Sequence, residues 1–237
     1  MQTININLVL LIIAVVDFAI TFIFLVARKS YPENIKGSLE WGGFLLILSI
    51  CLPIFLLRTG HYGSNIFVTA LLISFAYTLM RLGTKKFLQE KSIEKSLQII
   101  TEFVGVAVLF LLIIFLNYDL KISILISSGY CSAIIINQIL LFLKKSPNSL
   151  KRIIVLGSLP LIILMHVSLC LILILGLVHV DDFYLIYCTS VALQVPLMAI
   201  FFLLALTQKY NGTIDFALRH DYLTGALNKK ALYEELD

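Results

Sequence analysis

The sequence predicts an all-α, polytopic membrane protein with seven transmembrane helices, and three observations carry that expectation. The 237 residues are 60% apolar and only 14% charged, with a mean hydropathy of +1.00, a composition far from that of water-soluble globular domains. Seven apolar runs have about the 20 residues of helix needed to cross roughly 30 Å of hydrocarbon. The loops between the runs alternate between rich and poor in Lys and Arg. Helices are the expected element because an isolated strand would leave its backbone groups unpaired in lipid.

The first run, Ile4 to Ala27, has no basic segment before it and no small-residue cleavage pattern after it. It is also too long for a signal-peptide core, so it is read as a retained span. The others are approximately Leu39 to Leu57, Ile66 to Leu82, Leu97 to Leu116, Ile122 to Leu143, Ile153 to Leu177 and Phe183 to Leu206. Pro53, Pro160 and Pro196 fall within or near the ends of these spans, where neighbouring helices can absorb a kink. Cys51, Cys131, Cys170 and Cys188 lie in apolar stretches without CxxC or CxxxH spacing, which fits small buried side chains and no disulfide or zinc framework.

Cytoplasmic loops retain Lys and Arg, whereas short translocated loops do not. No base precedes the first run. The following loops carry three (Arg28, Lys29, Lys36), one (Arg58), five (Arg81, Lys85, Lys86, Lys91, Lys95), one (Lys121), four (Lys144, Lys145, Lys151, Arg152) and none. This pattern predicts an outside N-terminus, a cytoplasmic C-terminus and an odd number of spans. The net charge of +4 is therefore read as topology in a cytoplasmic membrane, with no nucleic-acid partner. The last external loop, with Asp181 and Asp182 and no base, agrees. In the cytoplasmic loop from Arg81 to Lys95, five bases accompany Glu90 and Glu94, and some attraction to anionic lipid is expected beside orientation.

Beyond Leu206 the apolar density falls. Leu206, Tyr210, Thr213 or Ile214, and Ala217 or Leu218 recur at three- and four-residue spacing, the pattern of a short helix at 207–219 that leaves the membrane and can pair with a second copy. Gly212 argues against an unbroken helix there. The Asn211-Gly212-Thr213 triplet has the form of a glycosylation sequon, but on the cytoplasmic side that chemistry does not occur.

The stretch from Arg219 to Leu236 contains Asp221, Leu223, Thr224, Gly225, Asn228 and the basic pair Lys229 and Lys230. Asp221 and Thr224 suit a turn that accepts backbone hydrogen bonds, Gly225 suits a tight bend, and Asn228 suits a cap for a helix whose stripe is Leu232 and Leu236. In that order and spacing these residues resemble the opening of a GGDEF domain, which reads approximately Asp-x-Leu-Thr-Gly-Leu-x-Asn-Arg-Arg before an amphipathic helix. The departures are Ala226 in place of Leu and lysines in place of arginines, and Lys cannot reproduce a bidentate Arg contact. The resemblance covers residues 220–237 and implies a diguanylate cyclase, which condenses two GTP molecules into cyclic di-GMP across a dimer of domains with Mg²⁺ held by carboxylates. Those carboxylates and the Gly-Gly-Asp/Glu-Glu-Phe loop lie downstream of the opening. No catalytic residue, metal ligand or cofactor site is therefore expected in this chain, which by itself should be inactive. The implied organisation is a sensory or anchoring membrane domain over 1–206, a signalling helix over 207–219 and the start of the cyclase domain, with a homodimer through the helix and the cyclase. Two other readings are a receptor with a degenerate, non-catalytic domain and a small-solute transporter.

Ionisable and polar groups in the spans are the candidates for sensing, because a charge at mid-bilayer costs at least about 2.5 kcal/mol unless it is paired or neutralised. Asp17, near the centre of the first span, is either protonated or partnered by Thr21 one turn away or by another span. His166, with Cys170 one turn on, reads as a proton, metal or ligand sensor or as a satisfied interhelical hydrogen bond. Gln194, Asn137 and Gln138 are candidates of the same kind. On the outer side, Arg58, His61, Tyr62 and Asn65 in one loop and His179, Asp181 and Asp182 in another read as a mouth for an unknown small ligand or as solvated loops.

Overall fold

The structure is a computed structural model that describes residues 6–32, 35–56, 62–88, 99, 101, 103–105, 107, 108, 111, 120–145, 157–177, 180–221, 224, 226–228 and 232. Among these the chain is helical, without a strand, and the only extended pairing is an isolated bridge between His220 and Leu227. The continuous helices are α1 (Ile6–Ala27), α2 (Ser38–Leu56), α3 (Tyr62–Phe87), α4 (Leu120–Lys145), α5 (Ser158–Leu175) and α6 (Val180–Arg219), with a 3₁₀ turn at Arg28–Ser30. The described residues between 99 and 111 are helical as well, and Phe103 packs on Phe75 of α3, ring centroids 5.1 Å apart.

Each helix packs against the next, α6 closes back onto α1, and α2 and α6 also touch across the middle. α3 and α4 are parallel neighbours, since Ser74 meets Ser127, Thr78 meets Tyr130 and Phe87 meets Phe142 in the same order along both helices. The surface explains the solvent. On α1 the residues Leu10, Ala14, Asp17, Thr21 and Phe24 form a buried stripe at alternating spacings of four and three, while Leu11, Ile12, Val15, Phe22 and Ile23 on the other faces are exposed. Apolar side chains outside and hydroxyl, amide and carboxyl groups inside are the reverse of a water-soluble helix. The exposed apolar faces associate with a lipid bilayer. Three stretches among the described residues are long and apolar enough to cross it, Leu8–Ser30, Ile124–Lys145 and Thr189–Arg219, and Ser38–Cys51 and Leu159–Leu175 are shorter apolar helices.

One end of the bundle is packed with aromatic rings. The indole of Trp41 stacks on Phe202 at 4.4 Å and leans on Phe87 at 4.9 Å, and Phe24 and Phe44 reach the same Phe202 from α1 and α2. Phe142 of α4 joins through Phe87 and Phe201. Two glycines make room for this layer. Gly37 takes φ of +96°, and a Cβ there would stand 2.1 Å from the carbonyl oxygen of Gly83; a Cβ on Gly83 would meet the Trp41 ring at 2.6 Å. The start of α2 therefore lies directly on the end of α3, where Trp41 Nε1 donates to Thr84 Oγ1 at 3.2 Å and Lys86 pairs with Glu40. The ends of α1, α3 and α4 that carry Arg28, Lys29, Lys85, Lys86, Lys144 and Lys145 gather on this side.

α5 ends at Gly176, whose φ of +61° is the left-handed stop common after helices, with its N–H bonded to the Ile172 carbonyl. Pro53 and Pro196 lie inside α2 and α6 without ending them. The interruption that Gly212 suggested does not occur. The exit helix is the last part of α6, which runs for 40 residues through Gly212 and, at 1.5 Å per residue, is about 60 Å long. A single glycine costs about 1 kcal/mol, too little to interrupt a helix already nucleated by the packed turns before it. Of the expected fourth span, Leu97 to Leu116, most residues lie outside those described, as do Lys91, Lys95, Lys151 and Arg152.

Candidate functional site

The interior holds two polar sites at mid-bundle, and a third set of polar contacts lies exposed at the end of α6. In the first, Tyr77 of α3, His166 of α5 and Gln194 of α6 converge, all buried. The Tyr77 hydroxyl donates to Gln194 Oε1 at 2.6 Å and lies 3.1 Å from His166 Nε2. Its one hydrogen is spent on Gln194, so the ring N–H of His166 is the donor in the second contact. Gln194 Nε2, 3.5 Å from the same ring nitrogen, then faces another donor. This bookkeeping leaves His166 Nδ1 as a bare acceptor, and it has no hydrogen-bond partner. The structure thus brings together His166 and Gln194, two of the three candidate sensing residues. It also adds Tyr77, which sequence reading missed because a tyrosine in an apolar run looks like core. Its spacing along the buried stripe of α3 with Ser74 and Thr84 was the available signal.

Asp17, the third candidate, belongs to the other site. It is 2% exposed, and Oδ2 has no hydrogen-bond partner. Thr21 is not its partner, because that hydroxyl bonds Ser49 Oγ of α2 at 2.9 Å. Ser49 in turn donates to the Leu45 carbonyl at 2.9 Å, so the hydrogen between the two hydroxyls comes from Thr21. Both hydroxyl hydrogens point away from the carboxylate.

The remaining intramembrane candidates separate. Gln138 is buried with neither amide atom hydrogen-bonded, whereas Asn137 is exposed on the outer face of α4 and joins no interhelical contact of the core. Interhelical hydrogen bonds are instead made by hydroxyls, Ser74 to Ser127 at 3.2 Å and Thr78 to Tyr130 at 3.0 Å. Cys51 and Cys131 are buried free thiols and Cys170 is partly buried. No group of three His, Cys, Asp or Glu that could hold a metal occurs among the described residues. Arg58, His61 and His179 lie outside those residues, and Tyr62, Asn65, Asp181 and Asp182 are helical.

At the far end of α6 the chain folds back on itself. Asp221 Oδ1 accepts from both the backbone N–H and the hydroxyl of Thr224, at 2.9 and 3.0 Å, and Thr224 Oγ1 accepts from the N–H of Ala226. Asp221 N–H bonds the Ala226 carbonyl and Asn228 N–H the Arg219 carbonyl, each at 2.8 Å. The Asn228 side chain donates to the Leu218 carbonyl at 2.5 Å, and the Asn228 carbonyl accepts from Leu232 N–H at 2.9 Å. One asparagine therefore closes the end of α6 and begins the next turn. The side-chain amide serves the preceding helix, where sequence reasoning assigned it to the following one. Leu223, Gly225, Lys229 and Lys230 lie outside the described residues.

Between bundle and turn, α6 is held where it leaves the aromatic layer. The Tyr31 hydroxyl bonds Thr207 Oγ1 at 2.8 Å, the Tyr31 ring meets Tyr210 edge-on, and Lys209 bonds the Phe87 carbonyl while lying 4.4 Å over its ring. Residues 211–218 are exposed all round. Comparison with protein-family models, with curated proteins and with solved structures finds no match.

Proposed function

We propose that the chain is the membrane sensor and anchor of a diguanylate cyclase. In this reading seven helices cross the cytoplasmic membrane with the N-terminus outside, and α6 carries a GGDEF domain into the cytoplasm. The observation that carries the reading is the fastening of the Asp221 to Asn228 turn to the last carbonyls of α6. Residues that make up the GGDEF-like opening are the ones that join helix and turn, so movement of α6 would reach the following domain without a slack linker. The alternation of bases along the chain supports the orientation, and the exposed apolar residues Ile214 and Leu218 beyond the bundle support pairing of two copies there. Mg²⁺ and GTP belong to the following domain, and Asp17, His166 and Gln194 are the residues through which a small ligand or membrane stimulus would act.

The test is a fusion in which residues 1–230 replace the membrane region of a cyclase at its own opening motif, with cyclic di-GMP measured in cells. Inserting one alanine after Arg219 rotates the downstream domain by about 100°, and output should change several-fold; four alanines, close to a full turn, should restore most of it. Output indifferent to both insertions would sink the reading. A fusion that inserts, folds and makes no cyclic di-GMP with an otherwise active domain would favour a receptor of another kind.

A further inference from the structure

We propose that Asp17 and two proline-released carbonyls form an intramembrane binding site for a small monovalent cation of the sodium kind. Contacts fix which residues share its depth. α1 and α6 run parallel, since Phe24 meets Phe202 and Tyr31 meets Thr207 and Tyr210. α1 and α2 run antiparallel, since Thr21 meets Ser49 and Leu25 meets Gly42. Two turns back from Phe24 is Asp17, and two turns back from Phe202 is Val195. One turn back from Thr21 is again Asp17, and one turn on from Ser49 is Pro53. The carboxylate thus lies within a turn of Pro53 in one neighbouring helix and level with Pro196, next to Val195, in the other. These two helices also touch each other.

A proline has no N–H for the carbonyl four residues back. Pro53 therefore withholds the helical donor from Ser49, and Pro196 withholds it from Ala192, both buried. Carbonyls without a helical donor are free to act as ligands, as those of unwound helices do for sodium in transporters, and here the prolines free them inside continuous helices. The unpartnered Oδ2 of Asp17 and the hydroxyl oxygens of Thr21 and Ser49, with their hydrogens directed elsewhere, complete a set rich in acceptors and poor in donors. A hard cation takes oxygen ligands. One carboxylate balances one positive charge, and a divalent ion would leave net charge in hydrocarbon. Gln194, adjacent to Val195, places the Tyr77 and His166 cluster on the same turn of α6, so occupancy would bear on that cluster too.

The experiment uses the whole chain in lipid nanodiscs and reads thermal unfolding at pH 8 in sodium chloride against choline chloride of equal ionic strength. It is independent of any cyclase activity. At a sodium concentration about tenfold above Kd, Tm should rise by about 3–6 °C. Asp17→Asn should abolish the rise. Should that variant not fold, Pro53→Ala and Pro196→Ala return an N–H to each carbonyl, and each should raise the sodium concentration for half the shift about tenfold. Equal Tm in the two salts overturns the site, as does a sodium response that survives Asp17→Asn or both proline replacements. A Tm that follows pH in choline but ignores sodium also overturns it, because Asp17 would then take only a proton.

Discussion

The two halves of the bundle interior are built from different materials. At the end where α2 begins and α3 stops, Trp41, Phe87, Phe142 and Phe202 interlock with few polar atoms, and the close approach of Gly37 to Gly83 lets the backbones touch. At mid-bundle the same helices enclose a carboxylate, an imidazole, a phenol and the Gln194 amide, and several of their atoms lack partners. Lipid is as apolar as leucine, so helix association in a membrane draws on close packing and interhelical hydrogen bonds more than on hydrophobic burial. The aromatic end has the packing and stabilises the fold. The polar layer leaves donors and acceptors open, and open polar atoms at depth are where an ion, a ligand or a proton can bias one arrangement of helices over another.

That contrast can be broken by substitution, with unfolding followed by thermal or SDS titration of the reconstituted chain. The largest effect belongs to the aromatic end. Trp41→Ala removes the ring stacked on Phe202 and the bond to Thr84, and should cost about 3–5 kcal/mol. A cost below that of polar-layer substitutions would reverse the assignment of roles. Tyr77→Phe keeps the ring but strands Gln194 Oε1 and the His166 N–H, and should cost about 1–3 kcal/mol. Gln138→Leu should have the opposite sign, raising stability by about 1–3 kcal/mol, because it removes a buried amide with no partner and keeps similar volume. Loss of stability in that variant would mean that the amide is satisfied in the membrane.

Much of the architecture was legible because lipid imposes simple demands on a chain. The run Ile4 to Ala27 could only be a helix if it lies in hydrocarbon, and the buried stripe of α1, Ile6–Ala27, follows from placing Asp17 and Thr21 inward. The turn at Asp221 and Thr224 could also be read locally, since its hydrogen bonds link residues two or three apart. The course of α6 could not. Gly212 argued against an unbroken helix, and continuity depends on the turns packed upstream and on the clamp of Tyr31 and Lys209 near its exit.

The sequence by itself determined that the chain is helical, that its outer faces are apolar and that Asp17, His166 and Gln194 are polar groups at depth, because periodicity and composition are properties of one segment at a time. Only the tertiary structure decided their partners. It gave His166 and Gln194 to Tyr77, and took Thr21 from Asp17 and gave it to Ser49. Each of these depends on the register between helices far apart in the chain, which ring contacts such as Phe24 on Phe202 fix and which no single segment encodes.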